Sequence, residues 1–248
     1  MAPLPASPSL LDALSAVFDQ MGADPRAWAL GMARATPAVT LVPAFGLSAV
    51  PAPTRLVLAL ALGACIAPAL AAEVNGAGPF VLALAREALA GLPVALLAAL
   101  SIYVAGMAGG LVDDLRAARE SVSLPSLPEQ LPPVAALFTL LASLAFLETG
   151  GAARVASALA TPEVAGHFSW LTVTKAFARS VELAFALAAP LAVASVLIET
   201  AGALVARAAT PAFIGPVLAP VKSVALLGLL ALMFERIAEL LVVTSGFR

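Results

Sequence analysis

Residues 88–112 read ALAGLPVALLAALSIYVAGMAGGLV, with Arg86-Glu87 directly before them and Asp113-Asp114 directly after. The run holds no charged residue. At about 1.5 Å of rise per residue, a helix of this length covers the roughly 30 Å hydrocarbon core of a bilayer with some to spare. A soluble helix of that size would need a polar face, and this stretch has none. Near its far end Gly106 and Gly110 stand four apart with Gly109 beside them, a spacing that lets another backbone come close. The chain is therefore expected to be organised around one long apolar helix that packs through small residues and ends in a charged loop.

Composition supports the membrane class. The 248 residues are 62% hydrophobic and 11% charged, with a mean hydropathy of +1.03, whereas soluble domains carry about a quarter charged residues. The formal net charge is -2 and the basic residues are scattered, which argues against nucleic acid as a partner. Cys65 is the single cysteine, so neither an intramolecular disulfide nor a cysteine-rich metal site is available. Its neighbours Gly63, Ala64, Ile66 and Ala67 make it read as a small buried hydrophobe. With two tryptophans and one tyrosine the aromatic belts are thin, so stability is expected to come from protein neighbours.

Around the central run the chain divides into apolar pieces. The first residues have no basic leader and meet Asp12 early, so they do not read as a cleavable signal. Leu10, Leu11, Leu14, Val17 and Phe18 share one face of a short amphipathic helix. Asp24-Pro25 is a helix-start pattern, and the piece from Trp28 is expected to stop at Pro37. Pro37, Pro43, Pro51 and Pro53 rule out a single straight helix over residues 35–54 and point to a broken or re-entrant segment. Arg55 leads a cleaner helix, and a loop through Pro79 precedes the central one. The polar stretch after Asp113 is kept out of regular helix by Pro125, Pro128, Pro132 and Pro133. Further apolar runs are expected over residues 134–147, over 172–209 with Pro190 inside, and over about 216–243, with a short helix and a loop within 152–170. The fold class is all-α and integral to the membrane, built of helical hairpins with broken helices.

Charges inside apolar helices cost at least ~2.5 kcal/mol each at a helix centre, and several are present. Lys175, Arg179 and Glu182 share one helix face, where Arg179 and Glu182 can pair. Glu199 and Arg207 follow on the same helix, Lys222 sits between two apolar runs, and Arg34, Arg55, Arg86 and Glu87 lie on earlier ones. These groups either line a polar pathway or snorkel and pair between subunits. His167 stands alone in a loop without a partner at metal-ligand spacing, so no metal site and no cofactor are expected. Hydrolase and nucleotide-binding motifs are missing. Asp113 and Asp114 are adjacent on one chain and point in different directions, unlike an intramembrane aspartyl dyad. A small polytopic transporter with a charged midplane site at Lys175, Arg179, Glu182 and Glu199 remains a second reading.

Three blocks of the chain resemble the R/T subunit of the type III secretion export gate (the FliR/SctT/SpaR family). The first is Arg34 followed by PAFGLSAVPAPTRLVLALAL, matching that family's pattern at Arg34, Pro43, Phe45, Gly46, Pro51 and Arg55. The second is Arg86-Glu87, Gly91, Ala105-Gly106 and Leu111-Val112-Asp113. The third runs from Ala209-Thr210-Pro211 to Ala219-Pro220-Val221-Lys222-Ser223. The blocks come in the family's order over nearly the whole chain. Departures are Ala212 where the family has Asn, and Arg116, Arg119 and Glu120 in place of small residues.

The resemblance implies a non-enzymatic structural and gating subunit of the bacterial inner membrane. It implies assembly with other small export-gate membrane subunits, with the large export-gate membrane protein and with the switch protein. The first half, to about residue 130, would resemble one small partner type, and the second half, 131–248, the other. Unfolded secreted substrates would pass through a central pore closed by a plug loop. Carried onto this chain, the plug spans about residues 109–121, with Gly106, Gly109, Gly110, Asp113, Asp114 and Arg116 at the gate. Arg34, Arg55, Arg86, Glu87, Lys175, Arg179, Glu182 and Lys222 are then candidates for subunit packing. Flagellar and injectisome use both stay open, with Val112-Asp113 leaning to the second.

Overall fold

A computed structural model describes residues 24–45, 51–70, 79–118, 120–123, 130–161, 170–208 and 215–245. The amphipathic helix expected near Leu10 and the loop position of His167 lie outside the described residues. Among the described residues seven α-helices follow one another: α1 (Pro25–Leu41), α2 (Ala52–Leu70), α3 (Phe80–Leu115), α4 (Pro133–Glu148), α5 (Gly151–Ala160), α6 (Trp170–Ala208) and α7 (Gly215–Ser245), with a 3-10 turn at Pro43–Phe45.

Helix α3 is the axis of the molecule. It carries α1, α4 and α6 on its flanks, and α2 packs on α1. Alanines and glycines make these close crossings possible. Ala95, Ala98, Ala99, Ala105 and Ala108 are all buried along α3, and Gly31 of α1 faces Gly63 of α2 backbone to backbone. Larger side chains fill the remaining space: Ile102, Phe138, Phe146 and Leu191 are almost wholly enclosed. The ring of Phe45 meets that of Phe146 edge to face at 6.4 Å, fastening the 3-10 turn to α4.

Asp24 caps α1 through the Arg26 amide (2.8 Å) with Pro25 in the first turn, as the sequence pattern requires. Pro37 does not end that helix, which runs on to Leu41. The ring removes one backbone donor, and the chain stays helical because α2 and α3 hold this face. The break comes at the turn beginning at Pro43. Helices α4 and α5 meet at 64°, where Gly150 takes a left-handed backbone (φ 73°) that a side chain would disfavour.

Among the described residues, four helices are long and apolar enough to cross a membrane: α2, α3, α6 and the 218–239 part of α7. The bent α4–α5 pair makes a fifth if counted as one crossing. With 36 and 39 residues, α3 and α6 run about 54 and 58 Å, well beyond the hydrocarbon thickness. Much of the outer surface is greasy, with Val57, Val81, Leu171, Leu197, Val224 and Leu232 all largely exposed. Cys65 is exposed too, contrary to the expectation of a buried position. The buried stripe of α2 is Ala59, Gly63, Ile66 and Leu70, and residue 65 falls off it.

Candidate functional site at the corner between α3 and α4

The last turn of α3 carries the charged pair that follows the central apolar run. Both aspartates remain inside the helix, so the polar connection starts at Arg116 and not at the glycines. They diverge as adjacent helical residues must: Asp113 is 1% exposed, while Asp114 faces outward. A carboxylate so enclosed needs partners, and Asp113 has them on both oxygens. Oδ2 accepts the backbone N–H groups of Val134 (2.9 Å) and Ala135 (3.1 Å). Oδ1 accepts from Arg116, with Nε at 2.9 Å and a terminal nitrogen at 2.8 Å.

The reason lies in α4. Its N-cap residue is Pro132, which has no side chain able to accept, and the first turn holds no acid of its own. Asp113 supplies the missing cap from another helix and sets a negative charge at the positive end of the α4 dipole. Gly109 lets the two helices approach. A Cβ there would stand 2.6 Å from the Val134 carbonyl oxygen and 2.7 Å from the Ala135 Cα. At Gly106 an added Cβ would meet the Thr139 hydroxyl at 2.7 Å, whereas Gly110 faces open space.

Beyond Asp113 the helix closes with paired bonds from Ala117 N–H to the Asp114 carbonyl (3.0 Å) and from Ala118 N–H to the Asp113 carbonyl (2.9 Å). This is the Schellman arrangement, with Ala117 at φ 53° in a place usually given to glycine. The returning chain is pinned by an antiparallel bridge between Val122 and Leu131, at 2.7 and 3.2 Å. Ser121 and Gln130 meet beside it at 3.2 Å. Arg116 also lies 3.8 Å from exposed Glu120. Below the bridge, a cleft of about 400 Å³ is lined by Tyr103, Gly106, Gly110, Leu131, Ala135 and Thr139.

Other charges singled out in the sequence fall into separate places. Arg34 of α1 and Glu87 of α3 come together in the interior, their side chains 4% and 7% exposed. Arg34 Nε donates to Glu87 Oε2 at 2.7 Å, a terminal nitrogen lies 2.6 Å from the same oxygen, and another donates to the Leu159 carbonyl of α5 at 3.2 Å. Gly91 lies one turn on, where an added Cβ would overlap the Arg34 carbonyl. Arg86 points outward and Arg55 is half-buried.

On α6, Lys175, Arg179 and Glu182 are all exposed, and among the described residues no ion pair joins Arg179 to Glu182. They precede the charge-free run 183–198, which places them at one end of the apolar part of the helix. Glu199, at the other end of that run, pairs with Lys222 and so ties α6 to α7.

Sequence reading misses the Leu159 carbonyl and the α4 amides, since backbone groups leave no residue signal. The one available hint is Pro132-Pro133, a helix start that lacks a cap of its own.

These features define a polytopic, all-helical membrane protein held together by small-residue crossings and by two enclosed ionic contacts. Over residues 26–245 the chain matches the family described as bacterial export proteins, family 1, and it belongs to that family. No curated protein matches it. It is accordingly a multi-pass protein of the bacterial inner membrane and a component of protein export that works with other proteins.

Proposed function

We propose that this chain is the gating subunit of the inner-membrane type III export gate, acting without catalysis on unfolded proteins in transit. The observation that carries this reading is the polar connection after α3. In a molecule whose surface is otherwise largely apolar, residues 116–132 leave and rejoin the helices at one corner, clamped by Asp113 and by the Val122–Leu131 bridge. A polar segment at the end of a long apolar helix suits a water-filled passage, where it can act as the plug. The exposed apolar faces of α2, α6 and α7 are then covered by the other small subunits, with the large export-gate protein and the switch protein beside them. The first half, to about residue 130, and the second half each answer to one type of small partner.

The transporter alternative requires charges that converge on a site. Lys175, Arg179 and Glu182 instead lie on an exposed face, and Glu199 is engaged by Lys222. The deciding experiment replaces residues 116–123 with glycine and serine in the assembled gate and measures ion flux across the resting membrane. A leak is expected; a fully assembled variant as tight as the wild type refutes the plug.

A further inference from the structure

One carboxylate holds both ends of the polar connection. Arg116 is where the chain leaves α3, and Val134 and Ala135 are where it re-enters α4; both are bonded to Asp113. The bonded positions lie 3, 21 and 22 residues away from it. Helix caps ordinarily come from the residue just ahead of the helix. Here that residue is Pro132, so the start of α4 depends on a group beyond the far side of the loop.

We infer that Asp113 is the positioning residue that keeps the plug segment seated, a latch whose release frees the start and the end of the connection together. The inference rests on the plug reading given above. Three features support it. The contacts are charge-assisted, and such bonds are roughly twice as strong as neutral ones. The carboxylate is enclosed, so solvent does not compete for it. The second clamp, the Val122–Leu131 bridge, consists of two backbone bonds outside any sheet, which by themselves are weak. Beside the bridge, the only bond across the connection among its described side chains is the exposed Ser121–Gln130 one, so displacing the segment as a unit turns chiefly on Asp113. Gly109 belongs to the same device, because its missing Cβ is what allows α4 to reach the carboxylate.

The test uses the assembled export gate with Asp113→Ala, Asp113→Glu or Gly109→Ala, and with the loop replacement of residues 116–123 as reference. Hydrogen exchange at the Val134 and Ala135 amides reads the cap, and ion flux in proteoliposomes reads the seat. Asp113→Ala is expected to speed exchange at those two amides on the order of 100-fold and to open a leak. Gly109→Ala should do the same with the carboxylate still present, and Asp113→Glu should restore part of both. Should Asp113→Ala fail to assemble, Asp113→Asn, which keeps one acceptor oxygen, carries the test. Fast amides in a tight membrane, with the loop replacement leaking, overturn the latch and leave the plug standing. If the loop replacement is tight as well, the plug reading falls and takes the latch with it. Unchanged exchange in Asp113→Ala overturns the latch outright.

Discussion

Replacing Glu87 with glutamine keeps the shape of the side chain and removes one charge from an enclosed pair. Arg34 then keeps its positive charge at a site only 4% open to solvent. Removing one partner of a buried ion pair costs about 3–5 kcal/mol, because the remaining charge loses the counter-charge that its partner supplied. Glutamine still offers an acceptor oxygen, which places this variant near the lower figure, about 3 kcal/mol. For a chain of this size each kcal/mol moves the melting temperature by about 2–4 °C, so a drop of about 6–12 °C is expected. Thermal unfolding in detergent, followed by loss of helical circular dichroism, measures it. A double variant follows from the same electrostatics. Arg34→Met combined with Glu87→Met removes both charges, and its stability should lie well above the sum of the two single losses. A Glu87→Gln shift below about 2 °C, or strict additivity of the two methionine substitutions, would refute the claim that this pair carries the α1–α3 junction.

Gly91→Ala should loosen the same junction without touching a charge. The added carbon meets the Arg34 carbonyl, part of a backbone that cannot rotate away, so a loss of about 1–3 kcal/mol is expected in the same melt. Ala117→Gly should move the other way, stabilising by about 1 kcal/mol, because it relieves a left-handed alanine at the α3 terminus; equal or lower stability in denaturant titration would count against it. Lys222→Ala breaks the tie to Glu199, whose side chain is 60% exposed, so screening keeps the loss within about 1 kcal/mol. A larger loss in the same titration would mean that α7 depends on that pair far more than its exposure allows.

Helices were legible from their long apolar runs. The charge-free residues 88–112, longer than the bilayer requires, marked α3, and the run over residues 172–209 marked α6. Their ends were less so. Two glycines followed by two aspartates resemble the start of a loop, yet Gly109 is pressed against α4 and the Asp113 charge is satisfied by that helix, so the helical hydrogen bonds continue to Leu115. That information belongs to α4, more than twenty positions downstream. Arg34 and Glu87 each stood out as costly charges in apolar surroundings, but no periodicity connects residues 53 apart. Cys65 was misjudged from its immediate neighbours, when the side of α2 it occupies is decided by the spacing of Ala59, Gly63, Ile66 and Leu70. Pro37 marked a helix end by local rules, and packing on two neighbouring helices overrides them.

From α1, the Arg34 guanidinium reaches partners on α3 and α5, and this has a bearing on biosynthesis. Glu87 emerges from the ribosome early, while Leu159 follows 72 residues later, counting from 87 to 159. At about 5–20 residues per second, the half-assembled pair waits about 4–14 s for its third contact. During that interval the seam between the nascent N-terminal helices is incomplete. Stalled translation products ending just short of Leu159 should be cleaved near α1 by added protease, and those extended past α5 should resist.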